Sequence, residues 1–175
     1  MKKALFLALA GSLLNAAPVW AAEGDWEQAK MAHERGDYAA EIAIVRPLAE
    51  QGFAFAQFNM GVLYDEGHGV PLDDLQAMDW YRKAAEQGLP QAQINLGIMH
   101  EQGEGGPVDY VQAYFWYAMA NSQGDSQAPQ ALREISEKMT PAQIGEAQHK
   151  VREWQAAHTF TIPPLPALES EPANH

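Results

Sequence analysis

The chain has 175 residues, 47% of them hydrophobic, and contains no cysteine. That length supports one domain with its own core, and the missing thiols exclude disulfides, thiolate metal sites, cysteine nucleophiles and a lipid-bearing N-terminal cysteine. A formal charge of −12 argues against a nucleic-acid partner, because such affinity comes largely from Lys and Arg releasing counterions from phosphates.

The N-terminal segment, residues 1–21, has the pattern of an export signal. Lys2 and Lys3 give a positive start, and Ala4 to Leu14 form a short apolar run interrupted only by Gly11 and Ser12. Val19 and Ala21, three and one positions before the Ala21–Ala22 bond, suit a signal peptidase pocket, so cleavage is expected there. Asn15 and Pro18 break the run before the roughly 20 apolar residues a spanning helix needs, so no stable membrane anchor is expected after cleavage. The product would be periplasmic or secreted. Losing Lys2 and Lys3 and no acid takes the charge from −12 to −14.

Residues 22–158 are expected to form one helical repeat domain. Its first part, 26–52, reads as a shortened helix pair around a Gly36-Asp37-Tyr38 turn. It ends in Ala49-Glu50-Gln51-Gly52, the same four residues as Ala85-Glu86-Gln87-Gly88. A period of thirty-six then organises the chain: residues 53–88 match residues 89–124 at fifteen positions without a gap, which points to internal duplication. Ala77, Trp80, Tyr81 and Ala84 fall at i, i+3, i+4 and i+7, one apolar helix face, repeated as Ala113, Trp116, Tyr117 and Ala120.

Each unit reads as two antiparallel helices. The first runs from about Ala54 to Glu66 and is closed by Gly67-His68-Gly69, with Pro71 keeping the connection extended. Asp73 with Gln76, and Asp109 with Gln112, have the spacing of capping boxes at the start of the second helix. Gly61 and Gly97 lie inside the first helices, where glycine costs about 1 kcal/mol relative to alanine. Close helix approach is the expected reason, with Trp80-Tyr81 and Trp116-Tyr117 against the neighbouring backbone.

The residue order A-x-x-N-[LM]-G-x-[LM]-[YH]-x-x-G-x-G-x-P-x-D-x-x-Q-A-x-x-W-Y-x-x-A-x-x-Q-G, present twice between Phe53 and Gly124, resembles the SEL-one-like repeat, a relative of the tetratricopeptide repeat. The resemblance implies an all-α fold, a right-handed α-solenoid of about three to four antiparallel helix pairs that acts as an adaptor or scaffold. Segment 26–52 lacks the glycine-rich turn and is more tetratricopeptide-like. In 125–156, Ala128 and Leu132 keep the register, but Arg133 replaces the packing glycine. Thr140, Pro141 and Gln143 supply an N-cap, a proline at the first helical position and a third-position Gln for a final helix to about Ala156. This last pair is expected to cap the stack. Residues 159–175, with Pro163, Pro164, Pro166 and Pro172, are expected to be a disordered or extended tail.

The residues offer little catalytic chemistry. His100-Glu101 with Glu104 lacks the second histidine of a zinc helix, and His100 sits in the register of Tyr64. His33, His68, His149, His158 and His175 have no ligand spacing, so no metal or cofactor is predicted. Asp73-Asp74 and Asp65-Glu66 are paired carboxylates whose expected roles are capping and solvation. No nucleophile elbow or phosphate-cradling loop is present. Cysteine-rich exported relatives of this repeat are implied to bind or turn over penicillin-like molecules, but this chain lacks every cysteine and any activated serine. A cell-wall glycan binder using exposed aromatics is a further alternative. The favoured reading is a non-catalytic scaffold holding another protein in the cell envelope.

The resemblance implies that the first helix of each pair lines the concave surface. There Ala56, Met60, Gly61 and Leu63 fit the packing stripe, leaving Phe55, Phe58 and Asn59, with Gln91, Ile94 and Asn95, to face a partner. The alternative for these six is structural: the asparagines tie neighbouring elements, and Phe58 and Ile94 pack between repeats.

Overall fold

The computed structural model describes residues 19–158. Within them lie eight α-helices: α1 (Val19–Glu34), α2 (Tyr38–Glu50), α3 (Ala54–Asp65), α4 (Asp74–Glu86), α5 (Pro90–Gln102), α6 (Tyr110–Ser122), α7 (Ala128–Lys138) and α8 (Pro141–Ala157). From α1 to α6, each helix packs on the next, and α7 and α8 both pack on α6. The architecture is the expected all-α solenoid. The Ala21–Ala22 bond falls in the first turn of α1; residues 1–18 and the expected tail 159–175 lie outside the described residues.

The Gln-Gly pair ending each unit makes the joint between units. Gly88 has φ of +87°, a conformation cheap only for glycine, and this lets the Leu89 N–H reach back to the Ala84 carbonyl at 3.2 Å. Phe53 and Asp125 make the same bond to Leu48 and Ala120. This is the Schellman closure, and Leu89 and Phe53 then serve directly as N-cap residues of α5 and α3.

Asp73 and Asp109 cap α4 and α6 as expected, accepting from the Gln76 and Gln112 N–H groups at 3.1 and 3.0 Å. The reciprocal half of the capping box does not form at either. The Asp73 N–H donates instead to the Tyr64 carbonyl at 3.0 Å, and the Asp109 N–H to the His100 carbonyl at 2.8 Å. A donor already used to fasten the two helices of a hairpin needs no glutamine side chain. The full box occurs at α8, where Thr140 and Gln143 satisfy each other.

The interior glycines have a specific reason. A Cβ on Gly61 would stand 2.5 Å from two ring carbons of Tyr81, and one on Gly97 would meet Tyr117 as closely. The tyrosine of the second helix therefore lies flat in the groove that glycine leaves in the first. The expectation of close approach holds for the tyrosines but not for their tryptophan neighbours. Trp80 belongs to the core cluster of Val45, Leu48 and Met60, and Trp116 to that of Phe115 and Met119. Each tryptophan thus ties its hairpin to an adjoining layer.

Candidate functional site

A cleft of about 270 Å³ opens between the first helices α1 and α3. Trp26, Lys30 and His33 of α1 form one wall, Phe58, Asn59 and Val62 of α3 the other, and Glu41 of α2 the floor. Phe55, one turn before Phe58, is 57% exposed at the rim with its ring 6.2 Å from that of Trp26. Glu41 is only 2% exposed, a position a carboxylate occupies only with a partner; His33 Nδ1 provides it at 3.0 Å.

The cleft exists because the first hairpin departs from the repeat. In the second repeat, the Asn95 side chain lies beside the Tyr81 hydroxyl of the preceding unit and opposes the rise of its pKa. One period earlier, Asn59 would need a hydroxyl at position 45, but residue 45 is a valine. The Asn59 side chain makes no hydrogen bond among the described residues and faces the cleft. Phe58 is half-buried, its ring 5.7 Å from Tyr81.

The six residues assigned to a binding face therefore divide. Phe55, Phe58 and Asn59 surround one cleft, and Gln91 is exposed. Ile94 is not on a surface: at 6% exposure it sits in the core with Val111 and Tyr117. Asn95 is half-buried and lies beside Tyr81. Trp26, Lys30, His33 and Glu41 were not found from the sequence, because the thirty-six-residue period stops short of their segment, and Val62, inside the repeat, was not singled out. Glu41 carried the available clue: with Val45, Leu48 and Ala49 it lies at i, i+4, i+7 and i+8, a carboxylate on the buried stripe of α2.

Other polar pairs fasten the hairpins. Tyr81 donates to Asp65 Oδ2 at 3.1 Å, and one period later Tyr117 donates to Glu101 Oε2 at 2.7 Å. Burial, reinforced by the neighbouring carboxylate, pushes both phenols far above their ordinary range. Glu101 also takes Lys138 Nζ at 2.6 Å, and burial depresses His100. The His100-Glu101 pair is thereby absorbed into hairpin packing. These acid–tyrosine bridges escaped the sequence reading because Asp65 and Glu101 share chemistry without being identical. Among the described residues, no helix is long and apolar enough to cross a membrane, and no three His, Cys, Asp or Glu side chains gather closely enough for a metal.

Stacked helical hairpins with a groove between successive first helices define the class of repeat proteins built as α-solenoid scaffolds. The Sel1 repeat family matches residues 54–89 and 90–125, and the chain belongs to the Sel1 repeat proteins. Among solved structures it is similar to a protective antigen of uropathogenic Escherichia coli with an SLR fold, at 27% identity and a TM-score of 0.73, over 88% of this chain but 35% of that one. It is also similar to a Sel1 repeat protein from Oxalobacter formigenes, at 32% identity and a TM-score of 0.52, over 63% of this chain and 98% of that one. The chain thus spans about a third of the length of the first. No protein of curated function matches it significantly.

Proposed function

We propose that this protein is a non-catalytic scaffold of the bacterial cell envelope, exported with cleavage after Ala21, that holds a partner polypeptide in the α1/α3 cleft. The observation that carries the reading is the unspent Asn59 amide, set between the Phe58 and Val62 side chains. An amide that both donates and accepts suits the backbone of an extended peptide, and the exposed Phe55 supplies an apolar anchor at the rim. The strongly acidic chain steers a basic partner toward it at low salt. Export is supported by the Lys2-Lys3 start and the apolar run that follows.

Two measurements test this reading. Mass spectrometry of protein purified from the envelope should give a mature N-terminus at Ala22; a terminus at Met1, or recovery only from cytosol, refutes export. Cross-linking in the native envelope should capture a partner with wild type, and Phe55→Ala with Asn59→Ala should lose it while melting within a few degrees of wild type. Capture that falls only in proportion to lost stability would make the cleft residues part of the core.

A further inference from the structure

The two full repeats hold the same glutamine in different states. On α3, Gln57 is 6% exposed; its Nε2 donates to the Ala49 carbonyl at 3.2 Å, and its Oε1 accepts from Gln87 Nε2 at 2.6 Å. On α5, Gln93 is 2% exposed, and its Nε2 donates to the Ala85 carbonyl at 3.0 Å. Among the described residues, its Oε1 has no partner. The register puts Gln123 where Gln87 closes the first socket, but Gln123 Nε2 lies over Gly88, 3.9 Å from where a Cβ would stand there. A buried amide oxygen without a donor is costly, and buried polar groups are almost always paired.

Beside that oxygen is a cleft of about 470 Å³, bounded by the α4–α5 turn, the end of α6 and the last turn of α8; Gln87, Gly88, Met119, Ser122, Trp154 and His158 are among its walls. We infer that this cleft is a second binding site, distinct from the α1/α3 cleft, for a peptide that presents a primary carboxamide, the side chain of glutamine or asparagine, to Gln93 Oε1. The first repeat displays the filled form of the same socket, with Gln87 as the occupant. A carboxamide fits because its N–H group is carried on a slender neutral arm that can reach an oxygen shielded from bulk water. A carboxylate would set acceptor against acceptor, and an ammonium would lose its hydration beside a neutral amide. Sugar stacking is disfavoured, since His158 covers a face of Trp154 at 3.9 Å and Phe115 and Trp116 pack around the same ring at 5.7 and 6.2 Å.

The test is a nuclear magnetic resonance titration of the ¹⁵N-labelled full chain. The probes are the tripeptide N-acetyl-Ala-Gln-Ala-methylamide, its Glu and Leu counterparts, and a tetramer of N-acetylglucosamine. The Gln peptide should shift the Gln93 side-chain amide and the backbone signals of Gly88 and Ser122 saturably, with the other two peptides at least tenfold weaker. Gln93→Leu should abolish the shifts. The exposed Gln123→Ala leaves the fold intact and should bind the Gln peptide at least twofold tighter, because an internal competitor is gone. No saturable shift, equal response to the Leu peptide, or response to the sugar alone would overturn the inference.

Discussion

Phe58 and Ile94 occupy the same place in two repeats that share fifteen of thirty-six residues, yet one lines an open cleft and the other is 6% exposed. Asn59 and Asn95 divide in the same way, the first unbonded and the second beside Tyr81. Ile94 is enclosed by its own second helix and the elements after it, whereas for the asparagines the difference lies in what precedes each repeat. Behind the second repeat stands a complete hairpin whose Tyr81 hydroxyl lies beside the Asn95 side chain. Behind the first stands a hairpin closed by a short turn, with Val45 in the tyrosine's place. A degenerate neighbour thus turns a packing position into a surface, and a solenoid can build a site from a repeat that elsewhere builds only core.

This contrast makes Ile94→Ala the most damaging of the substitutions that test it. Removing a buried isoleucine side chain forfeits its transfer energy and leaves a cavity, about 2–5 kcal/mol. Phe58→Ala should cost less, because its ring is already half in solvent. Urea unfolding of both variants gives the comparison directly, and equal losses would erase the distinction between the two positions.

Next in size are Gly61→Leu and Gly97→Leu, where the repeats should behave alike. Each new side chain meets a tyrosine ring that is itself enclosed in the core, and overpacking of this kind costs about 1–3 kcal/mol. Both should lower the melting temperature by similar amounts, read by loss of helical circular dichroism. Unchanged melting in either would mean that its tyrosine is free to move aside.

Duplication made the fold legible: two aligned copies of Ala-Trp-Tyr-Ala at helical spacing located the buried face, and repeated Gly and Asp marked the helix ends. The cleft was less legible, because it depends on a segment without a second copy. Shared register also misled, placing Ile94 with Phe58 on one face although their environments differ. Likewise Gln76 and Gln112 have capping-box spacing, but the N–H groups they would have accepted from, those of Asp73 and Asp109, donate to neighbouring helices instead. Such partners belong to tertiary structure and leave no local pattern.

The smallest expected effect separates the two acid–tyrosine bridges by pH. Burial is the main cause that raises the Asp65 carboxyl above its usual 3.8, with the charges of Asp74 and Glu66 adding to it and the Tyr81 hydrogen bond opposing. A carboxyl whose pKa is higher folded than unfolded binds more protons in the native state, so its contribution is most favourable below the unfolded value and declines as pH rises through the folded one. Asp65→Asn keeps an acceptor for Tyr81 but cannot ionise. Its melting temperature relative to wild type should therefore rise as pH moves from the acid end of the carboxylate range to neutrality. Glu101 differs in having a cation, Lys138, at 2.6 Å, and that contact raises the lysine's own pKa. By the same linkage, the lysine's contribution is present below its unfolded pKa and is lost as pH climbs through the raised folded value. Glu101→Gln should therefore melt below wild type at neutral pH, with the gap closing only in the alkaline range where Lys138 loses its proton. Parallel pH profiles for the two variants would show that Lys138 does not distinguish the second bridge from the first.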